Sequence, residues 1–114
     1  MASVDEEVDV VDYDPRWVRL FEHERERICG GISVTPCRME HTGSTAIPGL
    51  VAKPIVDLML GVEPFPLGSS LIFEIESLGY EALGEAGVSG RLYFRRRGSE
   101  SFNREIAFRV KKEM

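Results

Sequence analysis

The stretch Glu40 to Leu60, EHTGSTAIPGLVAKPIVDLML, holds the residues best suited to chemistry. Gly43-Ser44 opens a tight turn behind an expected strand. Glycine lets the backbone approach a ligand closely. Exposed amides at such a turn, with the hydroxyls of Ser44 and Thr45, can cradle phosphate oxygens. Further on, Asp57 interrupts the most apolar run of the chain, Ile55 to Val62. An ionised carboxylate there is costly unless it is paired or holds a cation. A hard divalent cation such as Mg²⁺ prefers carboxylate oxygen and often shares its shell with substrate phosphates. A phosphate cradle beside a metal carboxylate is the minimum equipment for nucleotidyl transfer. Plainer readings stand beside each of these. Gly43-Ser44 can be an ordinary turn, and Asp57 can be satisfied by loop amides or an arginine. His41 is either a helper near the phosphates or a half-buried, hydrogen-bonded ring.

These residues need elements to position them. Val8 to Tyr13 alternates apolar and acidic residues through Val11, as a strand with one wet face would. Asp14-Pro15 is a good helix start. Trp17, Leu20, Phe21 and Ile28 follow at helical spacing, so Pro15 to Cys29 reads as an amphipathic helix with Trp17 as a core anchor. Glu22, Glu24, Arg25, Glu26 and Arg27 mostly cover its solvent side, and Gly30-Gly31 ends it. Ser33 to His41 is a second strand. Thr42 to Pro54 is a loop with one short helical turn. Ile55 to Val62 reads as a strand buried on both faces. Ser69 to Leu78 is a second helix with Leu71, Ile72, Ile75 and Leu78 inward. Tyr80 to Leu83, Arg91 to Arg96 and Glu105 to Val110 complete the strands. The sum is an α+β fold, one sheet backed by two helices. Arg95, Arg96 and Arg97 alternate faces on a strand, so no more than two of them should share a site.

Composition sets the outer bounds. At 114 residues one domain can bury roughly two-thirds of its unfolded surface and hold a single core. The net charge of -5 disfavours nonspecific binding to a nucleic-acid backbone. The bases crowd Arg91 to Arg97 and Arg104 to Lys112, so a local anion site in the C-terminal third is compatible with the acidic total. No apolar run approaches a membrane-spanning length, and the acidic start lacks a secretory pattern, so a cytoplasmic protein is expected. In that compartment Cys29 and Cys37 are expected to be free thiols.

Gly43, Ser44 and Asp57 resemble the pattern of the nucleotidyltransferase superfamily, Gly-Ser followed on a strand by Asp-x-Asp or Asp-x-Glu, with Met59 in place of the second acid. The longer string H-T-G-S-T-A-I-P-G-L-V-A-K-P-I-V-D-L resembles the signature of the GrpB family. So do V-D-Y-D-P-R-W-V-R-L-F-E-H-E near the start and L-G-Y at Leu78 to Tyr80. The likeness runs from about Val10 to Val110. It implies a nucleotidyltransferase-like mixed sheet in one domain over 1–114, ahead of the further helical structure with which the family usually continues. Family members commonly lack the second carboxylate and usually carry His-x-His on a late strand. Glu105 and Ala107 occupy those positions here, so Glu105 would supply an acid beside Asp57. The implied activity is Mg²⁺-dependent transfer of a nucleoside monophosphate from a nucleoside triphosphate to an unspecified acceptor. Gly43, Ser44 and Thr45 would hold phosphates, Asp57 and Glu105 the Mg²⁺, and Lys53, Arg95 or Arg109 would neutralise developing charge. The alternative is a catalytically inactive nucleotide-binding, regulatory or interaction domain of the same fold.

Overall fold

The computed structural model describes residues 10–33, 37–62, 69–85 and 90–112. Helix α1 spans Arg16–Gly31 and α2 spans Ser69–Ser77. Strands β1 (Arg38–Thr42), β2 (Ile55–Val62), β3 (Glu81–Ala82), β4 (Arg91–Arg97) and β5 (Glu105–Lys112) form one sheet in the order β1-β2-β5-β4-β3. The β2–β5 pair is parallel and the others are antiparallel, so the sheet is mixed. The α+β architecture expected from the pattern is the one observed.

The start of α1 follows its sequence signals. The Asp14 carboxylate accepts the Arg16 amide at 2.9 Å, and Pro15 sits at the boundary. Trp17 is fully buried and donates its indole N–H to the Phe102 carbonyl at 3.2 Å. Gly79, with φ of 99°, lets the chain reverse after α2.

Register divides the sheet into two unlike faces. Met39 of β1, Val56, Leu58 and Leu60 of β2, Phe94 of β4 and Phe108 of β5 lie on one face, buried with Trp17, Ile28 and Ile75 from the helices. Ile55, Asp57 and Met59, with Glu105, Ala107 and Arg109, lie on the other. Strand β2 is therefore buried on one face only, alternating strictly along its length, and not on both as its apolar character suggests. The helices cover one face, and Ile55 and Met59 are apolar residues on the open side.

Three further expectations are corrected. Val10 to Tyr13 form no sheet strand. Val11 instead bridges Ala52 through two backbone bonds of 2.8 and 3.0 Å, laying this arm across the loop before β2, while Val8 and Asp9 lie outside the described residues. The second strand begins at Arg38 and not near Ser33, with 34–36 outside the described residues. Cys29 and Cys37 are joined in a disulfide. The end of α1 and the approach to β1 bring their Cα atoms to 5.6 Å, within bridging range.

Glu24 departs from the expected solvent side of α1. It is 1% exposed and accepts Arg27 at 2.9 Å, Arg96 at 2.9 Å and the Tyr80 hydroxyl at 2.6 Å. Burial pushes this carboxyl up, but the bonds from Arg27 and Tyr80 and the charge of Arg96 outweigh it and hold it below its ordinary value. Burial, with the Glu24 charge, drives the Tyr80 hydroxyl far upward. No described helix is long and apolar enough to cross a membrane.

Candidate functional site

The Gly43–Ser44 turn and Asp57 meet. β1 and β2 are antiparallel, with Thr42 opposite Asp57, so the turn leaving β1 passes directly over the aspartate. Gly43 has φ of 74°, and a Cβ there would collide with Asp57 Oδ2. Glycine is thus required twice, for conformation and for space. A short 3₁₀ turn, Ser44–Ala46, follows.

Asp57 Oδ1 accepts Arg109 Nη1 at 2.8 Å, from the parallel neighbour β5. The two side chains are 20% and 25% exposed, so the pair is accessible from outside. Met59 lies opposite Arg109 in register, and Ala107 opposite Asp57. Arg109 also lies over the Tyr93 ring, 5.0 Å from its centre. A cleft of about 380 Å³ opens beside this pair, in the size range of small-ligand sites. Ser44, Lys53, Asp57, Tyr93, Glu105 and Arg109 supply its polar wall, and Val10, Val51 and Ile55 supply apolar wall. The Tyr93 hydroxyl donates to Glu105 Oε2 at 3.4 Å. Burial, then the nearby Glu105 charge, raises the pKa of Tyr93.

The fold therefore gathers Ser44, Lys53, Asp57, Glu105 and Arg109 around one cleft, with Gly43 packed on Asp57. It does not bring Thr45, His41 or Arg95 there. Thr45 is 1% exposed, and its hydroxyl donates to the Ile55 carbonyl at 3.0 Å. Its oxygen also lies 3.0 Å from His41 Nε2. The hydroxyl has one proton to give, so His41 Nε2 is the donor to Thr45. His41 stacks on Phe21 at 5.0 Å, and burial lowers its pKa, with the charge of Asp57 opposing. The two side chains pin the turn to β2 from the helix-covered side, so neither reaches a ligand in the cleft. Arg95 faces Glu81 at 3.4 Å near the β3 edge.

Sequence reasoning missed Tyr93 and the buried Glu24. The signal for Glu24 is present, because it continues the helical stripe of Trp17, Phe21 and Ile28. Tyr93 has only its period-two placement between Arg91 and Arg95 to mark it.

Among the described residues Asp57 and Glu105 are the cleft's carboxylates. Among the described residues no group of three or more His, Cys, Asp or Glu converges as a metal site would.

A family model described as GrpB protein matches residues 7–113. The chain belongs to the GrpB family. The UPF0157 protein YqkA of Bacillus subtilis is 32% identical over 93 residues, which cover 82% of this chain and 27% of that protein. The glutamate-rich protein GrpB of Alkalihalophilus pseudofirmus is 36% identical over 81 residues, covering 71% of this chain and 42% of that protein. A crystal structure of conserved protein GrpB from Enterococcus faecalis superposes with a TM-score of 0.78 at 36% identity, over 91% of this chain and 61% of that one. This GrpB-family chain thus spans less than half the length of those two curated relatives.

Proposed function

We propose that the open-face cleft binds a nucleoside triphosphate, its polyphosphate seated at the Gly43–Ser44 turn with Lys53 and Arg109 beside it. The placement of Asp57 carries this reading. Its Oδ2 lies against the one residue type that leaves room for it, its Oδ1 is held by Arg109, and a ligand-sized cleft opens alongside. Backbone amides at such turns and guanidinium forks both suit phosphate oxygens. Val10 and Val51 offer the base an apolar wall.

A Mg²⁺ that arrives on the triphosphate would find Asp57 and Glu105 as protein ligands, the phosphates completing its shell. It would screen the phosphate charge. Two carboxylates, one of them already paired with Arg109, are fewer than a self-standing two-cation centre requires. Arg109 on Asp57, with Met59 where the second acid would stand, favours binding without turnover. Glu105 on the same cleft favours a second reading, transfer of a nucleoside monophosphate. In that step an acceptor oxygen or nitrogen bonds the α-phosphorus, the bond to the bridging oxygen breaks, pyrophosphate leaves and the acceptor proton passes to solvent.

Calorimetric titration with ATP and GTP, with and without Mg²⁺, tests the reading, together with a pyrophosphate-release assay. Wild type should bind in a Mg²⁺-dependent way and release no pyrophosphate. Asp57→Asn keeps an acceptor for Arg109, so its melting should stay cooperative while Mg²⁺-dependent affinity falls roughly tenfold or more. Equal affinity in variant and wild type would remove Asp57 from the site. Pyrophosphate release that needs Asp57 would establish the second reading.

A further inference from the structure

A second cavity, of about 430 Å³, lies around Glu105 from the cleft. Arg95, Arg96, Arg97 and Arg104 line it, with Glu81 and Glu105 as its acids. Among the described residues four guanidinium groups line it against two carboxylates, with the buried Glu24 on Arg96 as a third, an excess of basic groups on a chain of net charge -5. Alternation along a strand should have divided Arg95, Arg96 and Arg97 between two faces. They share this cavity because β3 is only two residues long and covers β4 at Phe94 and Arg95. Past that point no described strand pairs with β4 on that side. Gly79, which also lines the cavity, is where the chain turns away, and a Cβ there would press on Arg96 Cδ at 3.2 Å. Side chains from both faces can thus reach around one sheet edge.

Two of these arginines keep hydrogen-bonding capacity. Arg96 gives Nη2 to the buried Glu24 at 2.9 Å, yet its Nε is buried with no hydrogen-bond partner. Arg95 meets Glu81 at 3.4 Å between side chains that are 51% and 64% exposed, a contact worth little. Arginine forks match phosphate oxygens in pairs, and a cavity of this size suits a small ligand.

We propose that the arginine cavity is a second anion site, which takes the phosphate monoester group of a small ligand separate from the nucleotide in the cleft. Glu105 is the shared wall, so the two ligands would be neighbours across one side chain.

Phosphorus NMR and calorimetry with inorganic phosphate on the full chain test this. Wild type should bind phosphate. Arg97→Gln with Arg104→Gln should weaken it roughly tenfold or more, while ATP titrated into the same variant still binds. Glu81→Gln, which removes a wall charge at an exposed edge, should tighten phosphate binding. Unchanged phosphate affinity in the double variant overturns the proposal. So does phosphate binding that is lost in Ser44→Ala but kept in the double variant, because it puts the anion in the cleft. ATP failing to bind while phosphate still depends on Arg97 and Arg104 overturns the nucleotide reading and upholds this one.

Discussion

Neighbouring hydroxyls at one turn have opposite duties. Ser44 faces the cleft, whereas Thr45 is buried and joins His41 to the start of β2. Removing the Thr45 hydroxyl strands a buried carbonyl and an imidazole N–H, a loss of about 1–3 kcal/mol. Thr45→Val should therefore lower urea-unfolding stability by that amount. Ser44→Ala should leave stability close to wild type and weaken triphosphate binding more than monophosphate binding. If the two variants changed places in these measurements, the assignment of duties would be wrong.

At the scale of elements, one buried carboxylate joins three of them. Glu24 of α1 accepts Arg27 from its own helix, Tyr80 from the segment before β3 and Arg96 from β4. This ties the helix layer to the edge that carries the arginine cavity. Glu24→Ala would take the acceptor from Arg96 and the Tyr80 hydroxyl and leave Arg27 with the Leu78 carbonyl, which costs about 3–5 kcal/mol in such settings. Equilibrium unfolding should show a loss of that order, and a loss under 1 kcal/mol would mean that the network does not hold the layers. The Cys29–Cys37 bridge makes a second tie, between α1 and the residue just before β1.

For the whole molecule, two displaced titrations predict how stability responds to acid. Burial lowers the pKa of His41 below 6.5. As pH falls, the unfolded chain takes up that proton first, so stability present above pH 6.5 declines through the window beneath it. Glu24 is held below its ordinary 4.5, so a further loss follows as pH drops below that value. Urea unfolding across this range should show both declines. His41→Gln, which can still donate to Thr45, should flatten the first and keep the second. An unaltered profile in that variant would place the first decline elsewhere.

The sequence by itself determined the types of the elements from α1 to β5, because burial periodicity and chain punctuation are local, but it read as a strand the Val10 to Tyr13 arm, which makes only a bridge to the loop before β2. The α1 stripe, the Gly79 stop and the turn after His41 could all be read from neighbours in the chain. It also placed Gly43, Ser44, Asp57, Glu105 and Arg109 among the residues of interest. Only the tertiary structure decided what each one meets. Parallel pairing of β2 with β5 set Arg109 on Asp57 across 52 positions of chain. Coverage of one sheet face alone made β2 half open, and the shortness of β3 let arginines of both faces line one cavity. Cys29 and Cys37 met because the chain turns back after α1. Charge pairing depends on distance in space, and the identity of a residue carries no information about which distant side chain will stand beside it.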